Sequence, residues 1–249
     1  MTILPSHSDA ADRLQQSQRL PLAIAIDSST RFASLALARG GHAIRYMPLS
    51  RQSRTAATMS QALSALMDDL RATGESLDFV AVTDGPGSFT GLRIGVTTAK
   101  TLAYALGCPT IAVDSLAVVA SALWNRNAAA SKVSVAINAY RGQLFVASWT
   151  RRQWEIATES GDFTTRSQVA MTDAWLEMVA AEDASCLVAA EPTVAGRCES
   201  GRVQPIEPTA IEVASLAHLI AKQGRFQSPM DLLPRYLRDS AAEEKWTAR

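Results

Sequence analysis

From Leu22 onward the chain falls into short apolar blocks separated by polar turns. Residues 22–26 form an apolar run ended by Asp27-Ser28-Ser29-Thr30, and residues 33–37 form a second one closed by Gly40-Gly41. A third run over 43–49 completes three predicted antiparallel strands. The period then changes, because Met59, Leu63, Leu66 and Leu70 line one helical face that stops at Gly74. Residues 79–83 read as a buried strand broken by Gly85-Pro86-Gly87. Ser88 is placed to cap a helix running to Leu106, with Gly107 at its end and Pro109 beyond. Residues 110–113 read as a strand, and another helix starts near Ser115.

Three strands, a helix, a strand, a helix and a strand make the unit of ribonuclease-H-like folds. A second round begins after the composition shift at Asn125-Arg126-Asn127. Strands are expected at 133–137 and 144–149 around an Arg141-Gly142 turn, with a third at 153–159. Residues 171–181 and 211–222 read as helices, and 186–190 as a strand. The expected fold class is α/β with two ribonuclease-H-like lobes. The first is residues 22–113, completed by a helix near 209–223; the second is 114–208. Residues 1–21 read as a polar extension expected to be disordered, and 224–249 as an extended tail packed on the rest.

Composition narrows the function more than the fold. With 47% hydrophobic and 19% charged residues, the chain has material for a real core. Lys plus Arg balances Asp plus Glu at 24 each, which argues against a dedicated nucleic-acid binder. The dense basic spots, Arg151-Arg152 and Arg235 with Arg238, are small. Cys108, Cys186 and Cys198 lack metal or disulfide spacing and read as reduced thiols. No apolar run reaches the ~20 residues of a membrane helix, and residues 1–20 lack the apolar centre of a signal peptide, so a cytoplasmic location is expected.

Two segments have the look of chemistry. The turn Asp27-Ser28-Ser29-Thr30 lies where actin, sugar-kinase and Hsp70 folds hold ATP phosphates, although Ser29 takes a place where glycine lets phosphate approach. A plain hairpin turn is the alternative. The block Gly85-Pro86-Gly87-Ser88 before a helix is a potential anion site, and Asp114 stands near the place of a ribose-binding acid. Thr90 replaces the third glycine of a dinucleotide fingerprint, Pro86 stiffens the turn, and three antiparallel strands come first. In the helix that follows, Gly91, Gly95, Ala99 and Ala103 recur every four residues and make one smooth groove. Either a helix of another subunit docks there, or the groove packs inside its own lobe. His7, His42 and His218 are isolated, so neither a metal site nor a catalytic centre is expected.

Residues 24–30, the block 85–95 (GPGSFTGLRIG), the Leu106-Gly107 to Ser115-Leu116 segment and the tail Pro234-Arg235-Tyr236-Leu237-Arg238 resemble the TsaB family. The glycine block is the specific element, and the resemblance covers roughly 22–240. It implies an actin-like, non-catalytic subunit paired with the catalytic paralogue TsaD and joined by the ATPase TsaE. That complex places threonylcarbamoyl on the adenosine beside a tRNA anticodon, so tRNA would be met indirectly. No tightly held cofactor is implied; ATP or ADP would sit at a shared interface. The resemblance assigns docking to two helices, 58–71 and 88–106, carrying Met59, Leu63, Leu66, Ser88, Gly91, Gly95, Ala99 and Ala103. The same surface would serve a homodimer when the partner is absent. The chain departs from the family at Thr58, where a His is usual, and at Asn138-Ala139-Tyr140, where Asp and Arg are. The family's glycoprotease-like label implies no peptidase here. The rival from the same fold class is a small-molecule kinase or ATPase, with Asn138 standing where its acid would be.

Overall fold

The computed structural model describes residues 19–50, 55–127, 129–164, 167–198 and 201–238. Residues 1–18 of the extension expected to be disordered, His7 among them, lie outside those residues, while 19–21 lead into the first strand with Arg19 paired to Asp78 at 2.7 Å. Strands β1 (Leu22–Asp27), β2 (Ser34–Arg39) and β3 (His42–Pro48) are followed by helix α1 (Thr55–Thr73), β4 (Phe79–Gly85), α2 (Phe89–Leu106) and β5 (Thr110–Asp114). They build a sheet of order β3-β2-β1-β4-β5. β1 is antiparallel to β2, and β4 runs parallel to both β1 and β5. This is the ribonuclease-H-like arrangement.

After α3 (Ser115–Arg126) the pattern repeats with β6 (Lys132–Tyr140), β7 (Gln143–Thr150), α4 (Arg151–Ser160), β8 (Gln168–Met171), α5 (Thr172–Ala180), β9 (Cys186–Ala190), α6 (Pro192–Ala195) and β10 (Val203–Pro205). The second sheet has order β10-β9-β6-β7-β8, the same topology strand for strand. Its third strand is β8, where the sequence pattern places that strand at 153–159. Those residues belong instead to α4, which buries Trp154 and Ala157 three positions apart. Thr150 and Gln153 form a capping box at its start, and Gly161 ends it in the left-handed region at φ 63.

Helix α7 (Ala210–Lys222) returns to the first sheet and packs against all five of its strands. The alternation in β1 explains how. Leu22, Ile24 and Ile26 face the core beneath α1 and α2, while Ala23 and Ala25 face α7 and α3. With Ala36, Ala38 and Ala81 they make a shallow surface that helices approach closely. The same core continues through α3 and α7 to Val133, Val135, Ala147 and Trp149 of the second sheet. The layers therefore run α1/α2, first sheet, α3/α7, second sheet, α5/α6.

Candidate functional site

The turn after β1 is sealed. Asp27, Ser28 and Ser29 are wholly buried and Thr30 nearly so (0%, 0%, 0% and 6% exposed). The start of α2 lies directly on them. Ser88 N–H donates to Ser29 O at 2.7 Å, and Ser28 Oγ–H donates to Gly91 O at 2.8 Å. Ser88 also caps α2, its hydroxyl accepting from Gly91 N–H at 3.3 Å. The glycines make this approach possible. A Cβ on Gly87 would stand 2.2 Å from Ser29 O, one on Gly91 2.1 Å from Ser28 O, and one on Gly95 2.1 Å from Ser28 Oγ.

This geometry bears on two expectations. Gly91, Gly95, Ala99 and Ala103 do not present a groove to another subunit; that face is turned inward, onto the chain's own turn and first sheet. Met59 and Leu66 are likewise core residues, while Leu63 is half-buried at the core margin. The second expectation concerns phosphate. The polar groups of Asp27, Ser28, Ser29 and Thr30 are turned on one another rather than outward. Ser29 N–H and Oγ–H both donate to Asp27 Oδ1, at 3.2 and 2.8 Å, and Thr83 Oγ1–H donates to it at 2.9 Å. Ser28 N–H reaches Thr83 Oγ1 at 3.4 Å, and Thr30 Oγ1 accepts from Phe32 N–H.

Burial holds the Asp27 carboxyl up at about 6, against the lowering hydrogen bonds of Ser29 and Thr83. Its Oδ2 is buried and unpartnered. A raised carboxyl contributes stability that is full below the unfolded value near 3.9 and is lost as pH rises through the folded value. Asp27→Asn keeps an acceptor for Ser29 and Thr83 and removes the charge. It is expected to stabilise the fold by about 1–2 kcal/mol at pH 8 and by roughly half as much at pH 5, which lies between the unfolded and folded values. Paired urea denaturation of wild type and variant at the two pH values checks the difference; a change independent of pH would show that charge is not what matters there.

A second cluster was not visible in the spacing of the sequence. The tail beyond α7 returns as an extended strap and inserts Arg235 between the ends of β4 and β5. Its guanidinium donates to Asp114 Oδ2 at 2.5 Å and Gly85 O at 2.6 Å, and lies 3.6 Å from Asp84 Oδ1. Arg235 N–H donates to Asp84 O at 2.7 Å. Burial raises both carboxyls, Asp84 to about 7, and Arg235 opposes the rise. Gly85 has φ 138, and a Cβ there would meet Arg235 O at 2.3 Å, so glycine is required on both counts. Tyr236 stacks on Phe89 at 4.6 Å, with Arg93 over the other ring at 4.7 Å. Arg238 donates to Ala139 O at 3.0 Å, so the strap touches both lobes. Asp114 also caps α3 through Ala117 N–H, a role unlike the ribose contact weighed from sequence.

The matching turn of the second lobe holds Asn138, whose Oδ1 accepts from Tyr140 N–H at 2.8 Å. Glu191 accepts from Asn138 N–H, and burial raises its carboxyl while Arg31 of the first lobe opposes that rise. Cys108 and Cys186 are buried, and no disulfide joins cysteines among the described residues. Among the described residues no three His, Cys, Asp or Glu side chains gather as metal ligands, and no helix is long and apolar enough to cross a membrane.

Comparison with known proteins places this geometry. Residues 47–197 match the model of a family described as TsaD: tRNA N6-adenosine threonylcarbamoyltransferase. The tRNA threonylcarbamoyladenosine biosynthesis protein TsaB of Bacillus subtilis (strain 168) is 30% identical over 234 residues, 90% of this chain and 96% of that one. Its Escherichia coli (strain K12) namesake is 34% identical over 131 residues, 51% of this chain and 54% of that one. The structure of YeaZ from Pseudomonas aeruginosa superposes with a TM-score of 0.65 at 26% identity, over 88% of this chain and all of that one.

Proposed function

The chain belongs to the TsaB family and has a role in tRNA threonylcarbamoyladenosine biosynthesis, and from that premise we propose that it acts there as a non-catalytic subunit. Its partners in this reading are a TsaD-like catalytic paralogue and a TsaE-like ATPase, with tRNA met through the assembly in the cytoplasm. The observation that carries the reading is the sealed turn at Asp27–Thr30. A kinase or ATPase of this fold class needs those amides and hydroxyls to face phosphate. Here those of Ser28 and Ser29 are covered by α2 and committed to Asp27, Thr83 and Gly91. ATP or ADP in the assembly would then sit at a surface shared with a partner.

Docking moves to the outward sides of the same two helices. Leu63, Met67 and Ile94 are half-buried apolar residues at the core margin, and Thr97, Thr101 and Tyr104 are exposed on α2. A helix pair of the partner laid on this side would bury an apolar seam with a hydroxyl-rich rim. Ile94→Arg and Thr101→Arg are expected to leave the fold intact and weaken pairing with the TsaD-like subunit at least tenfold, the scale of a central interface residue. Size-exclusion chromatography and titration calorimetry with that subunit check both values. A purified chain that turns over ATP alone, with turnover lost in Asp27→Ala, would overturn the non-catalytic reading.

A further inference from the structure

The outer edge of β5 borders a groove of about 320 Å³, lined by Ala112, Phe163, Phe226, Gln227 and the ion-paired residues at its ends. The hydrogen-bond pattern fixes which way β5 faces. Val80 N–H donates to Pro109 O at 3.0 Å, so residues 109, 111 and 113 turn their backbone groups to β4. Thr110 faces the other way and exchanges two 3.0 Å bonds with Gln227. Ala112, two residues on, must aim its N–H and C=O in the same direction as Thr110, into the groove.

The strap does not meet them. After Gln227 it turns away, with Asp231 N–H bonded to Ser228 O at 3.0 Å, and it returns only at Arg235. A gap one or two residues long is left in an otherwise paired edge. Gln227 Nε2 is buried beside it without a hydrogen-bond partner. The charges at the two ends are already matched, Arg235 to Asp84 and Asp114, and Arg225 to Asp162. Donors and an acceptor of amide type are thus open, while formal charge is not.

We infer that this groove binds a small neutral molecule carrying two secondary amides on one carbon, as an N-acylated amino-acid amide does. The ligand completes the edge as an antiparallel residue would: the N–H and C=O flanking its central carbon, one from each amide, pair with Ala112 C=O and Ala112 N–H, and a further acceptor takes Gln227 Nε2–H. The Thr110–Gln227 bridge and Arg235 close the groove at both ends, which excludes a polypeptide strand passing through. An unpaired donor and acceptor pair rejects analogues that lack the matching group.

The test uses the full chain and N-acetylglycine N-methylamide as probe, with N-acetylsarcosine N-methylamide, which carries a methyl group in place of the inward N–H, as control. In ¹⁵N–¹H spectra the Ala112 amide is expected to shift with a dissociation constant on the order of 1 mM for the glycine probe, with the sarcosine control at least tenfold weaker. Gln227→Leu is expected to weaken the glycine probe about fivefold to tenfold. Ala112→Pro removes an outward N–H that takes no part in the ladder to β4, and is expected to abolish binding. An Ala112 signal unmoved by the glycine probe, or moved equally by probe and sarcosine control, would overturn the assignment. So would unchanged affinity in Gln227→Leu, which changes the side chain and keeps both backbone bonds to Thr110.

Discussion

Gly91→Ala is expected to cost more than about 3 kcal/mol, enough to lower the melting temperature by roughly 6–12 °C in a chain of this size. The added carbon would stand 2.1 Å from the carbonyl oxygen of Ser28, in backbone that is wholly buried and cannot swing aside as a side chain would. Either α2 lifts off the turn or β1 bends. Both break the bonds from Ser88 N–H to Ser29 O and from Ser28 Oγ–H to Gly91 O. Gly87→Ala meets Ser29 O at 2.2 Å and is expected to behave alike. Gly196→Ala is the control, since its φ is −63 and the nearest atom to an added Cβ lies at an ordinary 3.4 Å. Thermal melts by circular dichroism of the three variants check the ordering. A Gly91→Ala protein as stable as Gly196→Ala would mean that the turn and α2 are not in contact. Gly95→Leu, which from sequence reads as a probe of docking, is therefore expected to disrupt the fold itself.

Arg235→Ala is the second large effect. The substitution leaves Asp84 and Asp114 without their cation, and the Asp114 side chain is only 4% exposed. Breaking a buried pair by removing one partner costs about 3–5 kcal/mol, and the 31% exposure of Arg235 trims that to roughly 2–3. The deficit is expected to depend on pH. Without the guanidinium both carboxyls rise further above their unfolded values, and a raised carboxyl gives stability that is lost as pH rises. The variant is thus closest to wild type near pH 5 and furthest from it at pH 8. Urea midpoints across that range check the trend. Hydrogen exchange along 228–238 reports whether the strap has come away. Arg235→Lys keeps the charge without the fork that reaches Asp114 and Gly85 together, and is expected to fall between the two.

Much of the first lobe is legible in the chain because its signals are local. The runs that become β1, β2, β4 and β5 are apolar and bounded by turn residues, and Ser88 and Gly107 cap α2 where the pattern puts them. The second lobe is read less well. Residues 153–159 look like a third strand only when the first round is used as the template. The local signals, Trp154 and Ala157 at helical spacing after a Thr150–Gln153 capping box, favour the helix that forms. β8 is four residues long and largely exposed, so it carries little pattern of its own. A small-residue stripe announces close approach but not by what. Gly91 and Gly95 meet Ser28, more than sixty positions away, where a partner helix had been the alternative. The Arg235 cluster joins residues 121 and 150 positions apart, a relation that spacing cannot express.

The helix that finishes the first lobe has a consequence for synthesis on the ribosome. The alanine face of the first sheet is covered by α7, and α7 is the last helix among the described residues. Chains emerge N-terminal end first, and domains commonly fold as they emerge. Here the first five strands would leave the exit tunnel with one side bare until residue 222 and the strap behind it arrive. The amino-terminal lobe is therefore expected to be the later one to lock, with the second sheet complete before it. A nascent chain stalled just after β10 is expected to hold a protease-resistant fragment from the second lobe and a cleavable first lobe, an inversion of the usual vectorial order.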